Sequence, residues 1–244
     1  MNLKFSIVTP SYNQGEFIKE CIESVLSQNF ENFEHIIIDA GSTDSTIDIL
    51  KEYKHLKWIS EPDSGPAEAI SKGFKLASGN IFSWLNSDDY YDKDVFNTIN
   101  EVLSERNEIN FLIGNLTFVN RDKEIIFADK THNYTRDYLL NVSADVIRQP
   151  CSFFSSDLYI KSGGIDKDLK LVFDYDLFIR FLNIVPGYFI EKNFVFQRDY
   201  PETLSRRFVR RQAIEIFKVS RKNGGNLLTR LNRKNLKKYL FNKL

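Results

Sequence analysis

The chain has 244 residues, 42% of them hydrophobic and 27% charged, enough for one large domain, or one domain with an appendage, built around its own core. No apolar run approaches the ~20 residues that span a bilayer. Nothing at the N-terminus resembles a signal peptide, and Cys21 and Cys151 lie far apart without metal-ligand spacing, so a cytoplasmic protein in a reducing compartment is expected.

Lys plus Arg and Asp plus Glu both number 33, yet the cancellation is not local. Residues 206–244 hold thirteen bases and one acid, Glu215, for +12, which leaves −12 on 1–205. An acidic body with a basic tail points to a polyanionic partner or a membrane surface. The aromatic share of 14%, chiefly 21 Phe, calls for a well-filled interior or an apolar docking surface.

Residues 5–9 read as a strand, 10–15 as a loop, and Phe17, Cys21, Ile22, Val25 and Leu26 recur at helical spacing. A second strand, rich in β-branched residues, covers 35–39. Gly41, Ser42, Thr43 and Asp44 supply turn and cap chemistry for a helix carrying Ile47, Leu50 and Tyr53. Residues 57–60 form a third strand, 67–77 a helix closed by Ser78-Gly79, and 81–85 a fourth strand. Short apolar strands alternating with helices predict βαβ units and a parallel sheet covered on both faces, a nucleotide-binding architecture.

Beyond about residue 105 the pattern changes. Strands over 109–119 and 124–128 flank a turn at 120–123, as a hairpin or as members of a mixed sheet. A polar loop follows over 129–135; 145–155 carries no clear period. Ser162-Gly163-Gly164 is a turn, and an amphipathic helix begins over 174–181. From about 206 the chain reads as helical, with a break at 223–226.

Asn86-Ser87-Asp88-Asp89 follows the buried fourth strand and opens onto Tyr90 and Tyr91. Paired carboxylates where a strand meets solvent suit a hard divalent cation such as Mg²⁺ or Mn²⁺, and open α/β sheets bind ligands outside the carboxyl ends of their strands. The competing reading is a cap for a helix starting near Lys93. Only His35, His55 and His132 are present, none paired with a Cys or acid at catalytic spacing, which argues against triad or zinc chemistry. The loop 10–15 lacks the Gly-rich, basic phosphate loop of a nucleotidyltransferase and the Gly-x-Gly-x-x-Gly turn of a dinucleotide dehydrogenase.

In order and at matching spacing, five stretches resemble the family 2 glycosyltransferases with the A-type fold. They are Ser6 to Asn13 with Ile22 to Gln28, Ile36 to Asp44, Ala77 to Asn80 with Leu85 to Asp89, Gly163 to Asp166, and Asp174 to Arg180. Together they span about 1–205. The resemblance implies an α/β, Rossmann-like nucleotide-binding domain with a mixed central sheet, divided into a nucleotide-binding half (1–105) and an acceptor-binding half (106–205), plus a basic helical appendage (206–244). It implies inverting transfer of a hexosyl or N-acetylhexosaminyl group from a UDP-, dTDP- or GDP-linked sugar to a hydroxyl of a glycan or lipid-linked glycan. Mn²⁺ or Mg²⁺ would assist, and the setting would be cell-surface polysaccharide or lipopolysaccharide synthesis.

Residue by residue, the same resemblance assigns Thr9, Pro10 and Tyr12 to the nucleotide base, Asp39 to reading the base where a second acid is missing, unless base recognition is looser, and Asp63, Asn86 and Asp88 to the rest of the nucleotide sugar. Asp88 and Asp89 fall to the metal and Asp174 to the general base, with Asp176 as a cap or support. Three departures stand out. Asn86 occupies a place usually held by Asp, Ala40 replaces the second acid that reads the base, and no His lies near Arg198-Asp199, where Asp199 is the substitute. The first two keep a rival open: a non-catalytic sugar-nucleotide-binding or scaffold protein of the same fold. Gln149 to Phe154 resembles the acceptor-side segment ahead of the base, with Cys151 read as packing.

In the tail, Phe208, Ile214, Phe217, Leu227, Leu228, Leu231, Leu236, Tyr239, Leu240 and Phe241 interleave with bases. This reads as a peripheral element on the inner face of the cytoplasmic membrane, or as helices packed on their own domain or on a homodimer partner. No nucleic-acid-binding motif accompanies the charge.

Overall fold

The computed structural model describes residues 3–241 except 131, 133, 145 and 146; the start of the 145–155 stretch and the side chains of Leu240 and Phe241 thus lie outside the described residues. The first four strands, β1 (Phe5–Ser11), β2 (Phe33–Asp39), β3 (Lys57–Ser60) and β4 (Ile81–Trp84), alternate with α1 (Ile18–Leu26), α2 (Thr46–Glu52) and α3 (Pro66–Leu76). They pair in parallel in the order β3-β2-β1-β4. Strand alternation covers both faces: Ile37 meets Ile18, Ile22 and Leu50, while its neighbours Ile36 and Ile38 join Ile70 and Phe74 in the larger core.

Helix α3 lies so close to β1 that a Cβ on Gly73 would stand 2.4 Å from Val8 Cγ1. Gly73→Ala is therefore expected to destabilise the fold by about 1–3 kcal/mol through overpacking. A lowered urea midpoint at unchanged slope is the sign to look for.

The chain continues through β5 (Tyr90–Tyr91), α4 (Val95–Glu105), β6 (Phe111–Val119), β7 (Ile125–Asp129), α5 (Arg136–Asn141), a 3-10 turn (Gln149–Cys151), β8 (Ser152–Ser155), α6 (Ser156–Lys161), α7 (Phe173–Leu182) and β9 (Tyr188–Arg198). The sheet extends as β4-β8-β6-β9-β5. β8 is antiparallel to both β4 and β6, β9 is parallel to β6, and β5 is antiparallel to β9. The expected mixed sheet is present, and the stretch without a clear period supplies its direction change at β8. One edge of β6 is shared, Phe111 to Ile113 with β8 and Leu116 to Val119 with β7.

Helix α4 starts six residues beyond Asp89, and neither acid of the pair caps it. Its first amides, Val95 N–H and Phe96 N–H, donate to Gln28 Oε1 at 2.9 and 3.4 Å. That removes the capping explanation for the acid pair. Phe96 in turn stacks on Phe5 at 4.7 Å, in the middle of the aromatic core.

The last helices, α8 (Leu204–Arg207), α9 (Val209–Lys222) and α10 (Arg230–Phe241), form the expected basic helical tail. It is fused to the second half rather than loosely attached. Ile216, Val219 and Leu231 belong to the main core. Glu215 Oε2 accepts from Lys170 N–H and Leu171 N–H at 3.1 and 2.9 Å, and Arg136 donates to Asn223 C=O at 2.6 Å. Gly224, at φ +88°, makes the break between α9 and α10, a conformation that favours glycine. Among the described residues, no helix is long and apolar enough to cross a membrane.

Candidate active site

The loops after β1 and β2 are laced together at the carboxyl edge of the sheet. Asn13 N–H donates to Ser42 Oγ (2.7 Å), Gln14 N–H to Thr46 Oγ1 (2.9 Å), Gly15 N–H to Asp44 Oδ2 (2.9 Å), and Thr43 N–H to Asn13 Oδ1 (2.9 Å). Tyr12 stands out of this rim with 58% of its surface exposed. Thr9 does not face the rim. It is fully buried, its hydroxyl 2.9 Å from His35 Nε2, while half-buried Pro10 alternates to the other side of the strand. Burial holds His35 well below the ordinary histidine range, at about 3, so the ring is neutral at neutral pH.

Asp39 sits fully buried at the end of β2. Its Oδ2 accepts from Gly41 N–H, Ser42 N–H and Ser60 Oγ, and its Oδ1 from Ser42 Oγ. A carboxylate so occupied shapes its own loop. Asp63 accepts from Gly65 N–H at 2.8 Å, and burial, then the charges of Glu68 and Asp39, raise its carboxyl above the usual range. Lys170 ties this loop to the second half by donating to Ser64 C=O at 3.1 Å.

The acid pair after β4 separates into two different environments. Asp89 is 1% exposed; its Oδ1 accepts from Arg198 N–H and its Oδ2 from Asn86 Nδ2, both at 3.0 Å. Asp88 is half-buried, and its Oδ2 accepts from the Tyr200 hydroxyl at 2.8 Å. Burial raises both carboxyls, Asp89 the more because the Asp88 charge adds to it.

Asn86 is oriented by a one-way chain of donors. Gln149 Nε2 donates to Trp84 C=O (2.5 Å), Asn86 Nδ2 donates to Gln149 Oε1 (3.4 Å), and the same Nδ2 donates to Asp89. The Asn86 Oδ1 then has no donor among the described residues. An Asp here would set a further carboxylate against buried Asp89, on top of the Asp88 charge, so the amide answers a physical demand of this chain.

Sequence reasoning missed Tyr200 altogether and met Arg198 only as the neighbour of an absent histidine. Arg198 is 4% exposed. Its guanidinium pairs with Glu20, donates to Asp88 C=O, and lies 4.8 and 5.1 Å from the Phe17 and Tyr90 ring centres. Both Asp199 carboxylate oxygens accept from Arg206, at 2.5 Å. Arg121, from the turn between β6 and β7, lies 5.1 Å over the Tyr200 ring and pairs with Glu16 and Glu202.

Asp174 opens α7, half-buried, with its Oδ1 accepting from Tyr175 N–H at 2.8 Å. The preceding Phe173 and the following Phe178 both pack on Trp84, ring centres 6.2 Å away, which docks the helix start on the last residue of β4. Asp176 points the other way. It is fully buried against Arg180 (2.7 Å) and Asn223 (3.4 Å), so it supports the helix.

Among the described residues, no group of three or more His, Cys, Asp or Glu side chains is placed to hold a metal. The donors present still fit a hard cation. One half-buried carboxylate beside a neutral amide oxygen is the protein share that Mg²⁺ or Mn²⁺ takes when substrate phosphates and water complete its shell.

A half-parallel sheet whose strand ends carry interlocked loops and this acid pair defines an A-type glycosyltransferase fold. Residues 6–159 match the family described as glycosyl transferase family 2, and the chain belongs to that family. Among solved structures, S. aureus TarS 1–349 in complex with UDP-GlcNAc is similar with a TM-score of 0.73 at 18% identity, covering 97% of this chain and 70% of that one. The mannosyltransferase PcManGT from Pyrobaculum calidifontis, in complex with GDP-Man and Mn²⁺, gives 0.68 at 15% identity over 99% of this chain and 71% of that one. At such identities the likeness is one of fold.

In sequence, an uncharacterized glycosyltransferase of Rickettsia typhi is 29% identical over 192 residues, 75% of this chain and 60% of that protein. TuaG of Bacillus subtilis, named for teichuronic acid biosynthesis, is 38% identical over 107 residues, 41% of this chain and 42% of TuaG. The chain thus spans 60% of the Rickettsia protein's length and less than half of TuaG's.

Proposed function

We propose that this chain transfers a hexosyl or N-acetylhexosaminyl group from a nucleoside diphosphate sugar to an acceptor hydroxyl with inversion at the anomeric carbon. The observation that carries it is Asp88, held by Tyr200 in the loop after β4, together with the start of α7, which bears Asp174 and is docked through Phe173 on Trp84 at that strand's end. Asp174 takes the proton of the attacking hydroxyl as the acceptor oxygen bonds to the anomeric carbon. The bond from that carbon to phosphate oxygen breaks on the opposite face, and its electron pair leaves with the nucleoside diphosphate. Mn²⁺ or Mg²⁺, held by Asp88 beside the Asn86 Oδ1, would neutralise the charge developing on that leaving group.

Asp89 acts from within by fixing Asn86 and the end of β9. Tyr12 offers an exposed ring for stacking on the base, Asp39 holds the loop beneath it, and Asp63 lies at the donor side. Thr9 contributes through the strand alone. UDP-, dTDP- and GDP-sugars are the donors to test, since TarS and PcManGT were solved with UDP-GlcNAc and GDP-Man. The name of TuaG supports a setting in cell-surface polysaccharide synthesis, on a glycan or lipid-linked glycan at the inner face of the cytoplasmic membrane.

A thermal-shift screen of these nucleotide sugars, with and without Mn²⁺, tests the reading. Ligand at about 100 times its Kd adds about 2.7 kcal/mol, a rise of roughly 5–10 °C for a chain of this size. If no nucleotide stabilises the fold in the presence of metal, the reading fails. Stabilisation without any sugar transfer, even to water, selects the non-catalytic scaffold instead.

A further inference from the structure

The basic tail has a sharply divided surface. On α10, Leu231, Asn232 and Asn235 are buried against the body, while Arg230, Arg233, Lys234 and Lys237 recur at i, i+3, i+4 and i+7 on the opposite side. On α9, Ala213, Ile216 and Val219 are buried, and Arg210 and Lys218 face outward. Arg210 lies 5.4 Å over the Tyr239 ring, so the two helices run side by side. None of these six bases has an acidic partner among the described residues. The tail's one acid, Glu215, is spent inside the fold on Arg211 and on the amides of residues 170 and 171. These six charges are therefore not neutralised by pairing.

Exposed apolar side chains accompany these bases in the tail. Leu227 and Leu228, in the bend between the helices, are 54% and 76% exposed, with Leu236 and Tyr239 exposed on α10. A free polyanion is bound by charge alone and gains nothing from two leucines at the tip of a turn. A bilayer uses both, because bases meet its anionic headgroups while leucines enter the acyl boundary.

We propose that the outer face of α9 and α10, with Leu227 and Leu228 at its tip, docks on a membrane surface carrying anionic lipid. The proposal deepens the membrane-side setting given above and rests on it for its biological sense, although its physical support is this surface alone.

Co-sedimentation of the full chain with vesicles tests it. The chain is expected to pellet with phosphatidylcholine vesicles that contain phosphatidylglycerol, to stay free with phosphatidylcholine alone, and to be released by salt. The double variant Leu227→Ser/Leu228→Ser, with its charge unchanged, should partition at least roughly tenfold more weakly. Arg233→Gln/Lys234→Gln/Lys237→Gln should also release the chain. Equal binding to neutral vesicles overturns the proposal, as does a leucine variant that binds like the parent. Displacement from vesicles by RNA that binds parent and leucine variant equally makes the face a polyanion site instead. A dimer that the leucine change dissociates makes it a self-association face. Since the substituted side chains are exposed, the unfolding temperature and its rise with nucleotide and Mn²⁺ should persist, so failure here leaves the transferase reading standing.

Discussion

Asp174→Asn is expected to lower sugar transfer by about 10²–10⁴-fold while the stabilisation by nucleotide sugar and Mn²⁺ stays at its parental size. The asparagine keeps an oxygen to accept from Tyr175 N–H at the start of α7. Phe173 and Phe178 still anchor the helix on Trp84. What is lost is the capacity to take a proton. Single-turnover rates with saturating donor separate the two effects, and a variant that also stops binding the nucleotide withdraws Asp174 from the role of base.

Asp88→Asn should act on a different step. Its amide oxygen can still accept from the Tyr200 hydroxyl, so the fold is retained, but the site loses the one half-buried carboxylate it offers a cation. The Mn²⁺-dependent part of the thermal shift should vanish, with transfer down by at least about 10²–10³-fold. Asp89→Asn provides the contrast. Both Asp89 oxygens accept, one from Arg198 N–H and one from Asn86 Nδ2, so an amide group there must face a donor. An unsatisfied buried donor costs about 1–3 kcal/mol, and the loss should appear as a lower unfolding temperature before it appears in the chemistry. If instead Asp89→Asn keeps full stability and abolishes the metal response, the two acids have exchanged roles.

How much of this could be read along the chain depends on the distance between partners. β1 to β4 and the helices between them follow from local period and turn residues, and all are present in the fold. β9 escaped because Glu191, Lys192 and Asn193 interrupt its apolar pattern, and its extended state is set by pairing with β6 and β5. Thr9 is a matter of parity. β1 runs on to Ser11, so residue 9 remains inside a strand, turned toward His35.

The site acids Asp88 and Asp174 could be located from motifs, but their supports could not. Tyr200 lies 112 positions from Asp88, and Gln149 lies 63 from Asn86. No periodicity reaches across such separations. The inward turn of Asp89 likewise depends on a backbone amide brought in by the last strand.

Arg198 joins Glu20 on α1, the carbonyl of Asp88, the ring of Tyr90 on β5 and, through its own amide, Asp89. One side chain therefore secures the outermost strand, the first helix and the acid loop together. Random variants scored by turnover will rank this position beside Asp88 and Asp174, although its guanidinium is a keystone enclosed by protein. The separating sign is thermal. Lesions at Arg198 should be rescued by cooling or by stabilising changes elsewhere, whereas lesions at the two acids should not.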